Sequence, residues 1–237
     1  MKVSRLCIKD MKDIEDIEKV PLENRIQQRT VYDVLKASAA QWPDRHALTF
    51  LPPHDPLGEP QIFTYQELFH KVNQTANLLA TCGITADKAV SYMLSNVPEA
   101  YFLFFAAQAV GIANPISPNL PPEQMADLLQ TAESEILIST GPQTNPQLWE
   151  NILEAVKLYP GLKKILVLEE YSDPQQNIES FNSLLERQSI VFDEKDINPE
   201  AFCSYFHTSG TVGTPKLVQH THWGSLHAAW GAGIFAH

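Results

Sequence analysis

Five short apolar runs, most of them separated by helical patterns, constrain this chain more than any other feature. They are residues 89–94, 112–116, 136–139, 165–168 and 202–206. Each is too short for a helix and lacks the strict polar alternation of a half-exposed strand. That is the signature of strands buried on both faces. The intervening segments read as helices. One has Pro98 in its first turn and Asn96 as its expected cap, runs to Val110 and stops at Gly111. Another opens at Pro121 and Pro122 and passes through Met125, Leu128 and Leu129, and a third covers residues 146–158. Alternating strands and helices predict an α/β fold, with parallel strands sandwiched between helical layers.

The first third of the chain carries sharper local signals. Thr30 is placed to cap an amphipathic helix containing Val31, Val34, Leu35 and residues 38–42. Residues 48–51 read as a strand, 52–60 as a loop with four prolines and Gly58, and Ile62 and Phe63 as a hairpin partner of that strand. Thr64-Tyr65-Gln66-Glu67 is a capping box, so a helix starts there, runs through Leu68, Val72, Ala76, Leu79 and Ala80, and ends at Gly83. Residues 10–18 mix acids, lysines and isoleucines and fit either a short helix or a mobile arm. The expected division is an N-terminal arm over residues 1–28 and one domain from residue 29 to 237.

Composition narrows the function. A chain of 237 residues can bury a substantial core. A formal charge of −11 argues against nonspecific nucleic-acid binding and against an anionic membrane surface. Cys7, Cys82 and Cys203 are an odd, widely spaced set and give no disulfide framework. The most apolar window, residues 101–110, fits a buried helix and not a membrane span. The N-terminus lacks the apolar core of a signal peptide, so the cytoplasm is the expected compartment.

Chemistry concentrates after the last strand. Residues 206–222 read Phe-His-Thr-Ser-Gly-Thr-Val-Gly-Thr-Pro-Lys-Leu-Val-Gln-His-Thr-His. Thr208, Ser209, Gly210, Thr211, Val212, Gly213 and Thr214 form a loop closed by Pro215 and Lys216. Gly210 and Gly213 let the backbone approach a ligand closely, because no Cβ intervenes. Successive N–H groups can form an anion nest, the hydroxyls add donors, and Lys216 adds a mobile point charge. The inventory suits a polyphosphate. The spacing matches neither a Walker A loop nor a dinucleotide fingerprint.

The order Thr-Ser-Gly-Thr-x-Gly-Thr-Pro-Lys, after an apolar strand and before Thr-His, resembles the phosphate loop of the adenylate-forming (AMP-binding) enzymes, and among them the acyl-CoA synthetases. Phe-Thr-Tyr-Gln-Glu-Leu at residues 63–68 and Gly-Ile-Ala-Asn-Pro-Ile-Ser-Pro at 111–118 resemble other stretches of the same enzymes. The resemblance implies an α/β fold with layered sheets flanked by helices, the N-terminal part of the large domain of an adenylate-forming enzyme. It implies ATP with Mg²⁺, a carboxylic acid (a fatty acid) as substrate, and CoA as the second substrate. Thr208, Ser209, Thr211 and Thr214 are then donors to the β- and γ-phosphates, and Lys216 either steadies the loop or contacts a phosphate. Val212 stands where the family has Thr or Ser. If that hydroxyl donated to a phosphate, its loss costs about 1.5–3 kcal/mol; if it pointed away, nothing is lost.

Other readings compete. Ser209 lacks the Gly-x-Ser-x-Gly elbow of a serine hydrolase. His220 and His222 could share a metal only if their segment is extended. Trp149, Trp223 and Trp230 fit core or interface positions. The apolar pattern from Leu226 to Phe235 has no stop signal before His237, so the chain reads as the front portion of a ligase whose missing C-terminal half holds the acyl pocket. The alternatives are an inactive truncated remnant or binding partner, and a fragment of a fatty acyl-AMP ligase or carrier-loading adenylation domain. The polypeptide alone is expected to show little or no ligase turnover.

Overall fold

The computed structural model describes residues 8–51, 58–193, 196–208 and 215–235, with residues 22, 234 and 235 described by backbone only. Near the N-terminus, helix α1 (Met11–Glu18) starts at a capping box made by Asp10 and Asp13. A 3-10 turn follows at Leu22–Asn24. Thr30 caps α2 (Val31–Gln41), its hydroxyl accepting from the Asp33 amide while the Asp33 carboxylate accepts from the Thr30 amide. Strands β1 (His46–Phe50) and β2 (Gln61–Thr64) form an antiparallel pair with a register shift between His46 and Leu48. The first strand begins two residues before the expected one. Helix α3 (Tyr65–Thr81) starts at the Thr64/Glu67 capping box. It ends where Gly83 takes a φ of 84° and the Ile84 amide reaches back to the Leu79 carbonyl.

The strand–helix rhythm then builds the main sheet. The elements are β3 (Ala89–Met93), α4 (Pro98–Val110), β4 (Ile112–Pro115), α5 (Pro122–Thr131), β5 (Ile136–Ser139), α6 (Pro146–Leu158), β6 (Lys164–Val167), β7 (Ile178–Ser180), α7 (Phe181–Leu185), β8 (Phe202–His207), β9 (Leu217–Thr221) and α8 (His222–Phe235). Among the described residues, seven strands lie in the order β7-β6-β5-β3-β4-β8-β9, parallel except for the antiparallel β8–β9 pair. One expected cap is corrected. Val97, not Asn96, is the N-cap of α4 and makes no side-chain cap bond. The Asn96 carboxamide instead accepts from the Tyr101 hydroxyl, so Pro98 alone marks the helix start.

Period-two burial splits the strands between two cores. Val90, Tyr92, Ile136, Ile138 and Leu166 face α2, α3, α4 and α7. Met93 and Leu137 face α5 and α6, and Ile165 and Val167 pack with Trp149 of α6. The result is a helix–sheet–helix sandwich, as parallel strands that are apolar on both faces require. Gly111 joins α4 to β4 under tight constraint. A Cβ there would lie 2.5 Å from the Lys88 carbonyl oxygen.

Candidate functional site

The loop singled out in the sequence leaves the carboxyl end of β8 and returns as β9. The two strands pair from Phe202↔Thr221 to His207↔Leu217. Beyond that register the Thr208 amide donates to the Lys216 carbonyl at 3.0 Å, and the Lys216 amide donates to the Thr208 Oγ1 at 3.2 Å. The base of the loop is therefore tied, with both side chains exposed. Thr208 uses an oxygen lone pair in that tie, which leaves its O–H to donate elsewhere. Ser209, Gly210, Thr211, Val212, Gly213 and Thr214 lie outside the described residues.

The position of the loop matters. Beyond its carboxyl end, β4 continues toward β5, passing over β3, whereas β8 turns the other way into β9. Connections that diverge from neighbouring strands leave a crevice at their carboxyl ends, where ligands of open α/β sheets bind. The loop sits at that edge.

From His207, at the base of the hairpin, a polar chain crosses the sheet. His207 Nε2 lies 3.0 Å from Asn114 Oδ1 on β4. Asn114 Nδ2 donates to Ser91 Oγ on β3 at 2.7 Å, and Ser91 shares a hydrogen bond with Ser134 Oγ. Because Asn114 presents its oxygen to His207, the histidine carries its proton on Nε2 and a lone pair on Nδ1. That Nδ1 is buried and has no partner among the described residues. Burial holds the imidazole below the usual histidine range, so the ring is neutral at pH 7. The sequence reading missed this chain. Its available signal was a polar residue in each of two otherwise apolar strands, Ser91 and Asn114.

His220 and His222 do not converge. His220 lies on β9 and meets the Phe206 ring edge-on at 5.2 Å. His222 opens α8, is buried, and is held down to about 4 by burial, with Asp33 pulling weakly the other way. No cluster of three or more potential ligands exists among the described residues. Trp149 is core, edge-on to Tyr171. Trp230 carries the Arg25 guanidinium at 5.6 Å, which ties the N-terminal segment to α8. Two cavities, of about 530 and about 470 Å³, open at the amino-terminal edge of the sheet, away from the loop.

A sequence model described as "AMP-binding enzyme" matches residues 35–235. The chain belongs to the AMP-binding enzyme family. Among curated relatives of this AMP-binding chain, a marinolic acid–CoA ligase from a Pseudoalteromonas species is 32% identical over 222 residues, covering 92% of this chain and 33% of the relative. A crotonobetaine/carnitine–CoA ligase from Citrobacter koseri is 29% identical over 163 residues, covering 68% and 31%. Among solved structures, an anthranilate CoA ligase in complex with anthranoyl-AMP superposes with a TM-score of 0.69 at 24% identity, over 86% of this chain and 36% of that one. A long-chain-fatty-acid CoA ligase, so described in Rhodopseudomonas palustris, reaches a TM-score of 0.71 at 19% identity, over 87% and 48%. At these identities the structural likeness speaks for the fold, which is that of the N-terminal domain of such ligases. The chain spans about a third of the length of the curated relatives it matches. No helix among the described residues is long and apolar enough to cross a membrane.

Proposed function

We propose that this chain is the N-terminal, nucleotide-binding part of an ATP-dependent acid–thiol ligase. The observation that carries the reading is the tied hairpin. It holds the ends of a hydroxyl-, glycine- and lysine-bearing loop, at Thr208 and Lys216, over the carboxyl edge where the strand connections diverge. A carboxylate oxygen attacks the α-phosphorus of ATP, the bond to the β-phosphate oxygen breaks, and acyl-adenylate and pyrophosphate form. A thiol then attacks the acyl carbon and AMP leaves. The nucleophile of the first step is already an anion and needs no base, so the protein's task is to position two anions and neutralise charge.

In this reading Thr208, Ser209, Thr211 and Thr214 donate to the β- and γ-phosphates, Gly210 and Gly213 admit the backbone, and Val212 contributes shape alone. Lys216 contacts a phosphate or steadies the loop. The loop offers donors but no carboxylate, so Mg²⁺ fits as an ion carried by the phosphates and not in a protein cage. The curated relatives are named for CoA, which favours CoA over a carrier-protein thiol, and the acid is taken to be a fatty acid. Residues 1–28 are an arm and residues 29–237 belong to the large domain, with the acid pocket supplied by sequence outside this chain. The cytoplasm is the compartment.

The test is calorimetric titration of the 237-residue chain with MgATP, with inorganic tripolyphosphate as competitor. ATP should bind, tripolyphosphate should displace it, and Lys216→Ala should weaken it about tenfold, as expected for one charge-assisted contact of roughly 1.4 kcal/mol. Absence of ATP binding, or ATP binding that tripolyphosphate cannot displace, overturns the reading.

A further inference from the structure

The polar chain that starts at His207 is not explained by stability alone. Ser91 and Asn114 are fully buried in strands that are otherwise mostly apolar, and Ser134 is buried beside them. A buried hydrogen bond gains little net stability, and a pair of apolar residues of the same shape does nearly as well. A satisfied buried network supplies something else, a single fixed geometry.

The sheet shows where such a geometry is needed. In the strand ladder β8 meets β4 at the register pair Ala113↔Ser204, and among the described residues the ladder gives no pair nearer the loop. His207 lies three residues further on, about 10 Å along an extended strand. Thr208 comes next and begins the tie to Lys216. Side-chain contacts hold this end of β8 to its neighbours. On one face the Phe206 ring lies against Phe104 of α4, with centroids 6.1 Å apart. That contact is apolar and tolerates sliding. On the other face His207 Nε2 donates to Asn114 Oδ1 at 3.0 Å, and a hydrogen bond constrains both distance and direction.

Asn114 is held in its turn. Its Nδ2 donates to Ser91 Oγ at 2.7 Å, and Ser91 shares a hydrogen bond with Ser134 Oγ. Ser91 and Asn114 also face each other as a register pair of β3 and β4. The carboxamide therefore keeps its oxygen aimed at His207. Both ends of the His207–Asn114 bond are uncharged at pH 7, so the bond does not depend on an ion pair.

We propose that Asn114 is a positioning residue for the loop between β8 and β9, acting through His207. The chain Ser134–Ser91–Asn114–His207 sets where Thr208 and Lys216 stand at the carboxyl edge of the sheet. Asn114 is 0% exposed, so any effect it has on a bound nucleotide is indirect. The consequence for ATP rests on the nucleotide reading above, whereas the placement of the loop base does not.

The experiment has two readouts on the full chain. Hydrogen exchange without nucleotide follows the Thr208 and Lys216 amides, with Leu137 and Ile138 of β5 as internal reference. Calorimetry follows MgATP. The variants are Asn114→Ala, His207→Phe, which keeps a ring and removes the donor, their double variant, and His207→Gln, which returns an N–H at similar reach. Asn114→Ala and His207→Phe should each speed exchange at Thr208 and Lys216 at least fivefold, leave β5 unchanged, and weaken MgATP about tenfold. The double variant should lose no more than either single one, because both remove the same bond. His207→Gln should recover most of the loss. If Asn114→Ala does not fold, His207→Phe against His207→Gln decides. The proposal fails if exchange at the loop base is unchanged, or if β5 speeds up equally, meaning that the chain only stabilises the fold. It fails equally if the two single losses multiply in the double variant, or if a chain that binds MgATP binds it as tightly without Asn114. If the unaltered chain binds no MgATP, the nucleotide reading falls and the exchange result alone decides the role of Asn114.

Discussion

A neutral imidazole is the form in which His222 fits its place at the start of α8. Burial lowers its affinity for protons to about 4, while an unfolded chain titrates near the ordinary value of 6.5. Between those values the unfolded state binds more protons, so stability falls as pH drops through the ordinary value and toward 4. From pH 7 to pH 5 the expected loss is roughly 2 kcal/mol. His207 is lowered in the same sense by its own burial and adds to it. Carboxylates held below their usual range, such as Glu135 with Lys163 and Lys88, act only at lower pH and do not confuse this window. Urea unfolding at pH 7 and pH 5 measures the loss, and His222→Phe should remove most of it. The Thr-His pair was legible as sequence, but the burial that neutralises the histidine was not. Nothing within residues 217–222 announces that Asp33 and α2 lie beside it.

Short-range chemistry decided most of the elements. Thr64 and Glu67 satisfy each other's backbone amides because a threonine three residues before a glutamate can do so only at a helix start. Thr64→Ala should cost about 1 kcal/mol of stability in chemical denaturation, with the expected span of α3 unchanged. Thr64→Ser should restore most of it; equal stability of the alanine and serine variants would falsify the capping role. Elements that went unread had weaker local signals. Strand β7 has three residues and α7 has five, too few to show a period. Strand β9 has no buried residue and no alternating burial, because among the described residues it ends the sheet and pairs with β8 alone. Asn96 misled for a related reason. It has the right chemistry for a cap, yet the chain turns one residue later, and Tyr101 takes its oxygen.

At the scale of the whole molecule, the sheet is unevenly bound. Strand β5 is buried throughout and joined to β3 and β6 by four paired positions each. In the strand ladder, β8 meets β4 at the register pair Ala113↔Ser204, with the His207–Asn114 bond and the Phe104–Phe206 ring contact beside it. Local opening follows such differences in burial and pairing. Hydrogen exchange should therefore release the amides of β9 well before those of β5, and MgATP should narrow the gap. Equal protection of the two strands would show the sheet opening as one unit. The sequence by itself determined the α/β class, most helix starts, and the composition of the loop between β8 and β9, because these rest on periodicity, capping and residue type within a few positions. Only the tertiary structure decided that β8 lies beside β4, that Ser91, Asn114 and His207 form one chain across three strands, and that His222 is buried beside α2. Those relations join residues far apart in the chain through strand order, and strand order comes from how the layers pack.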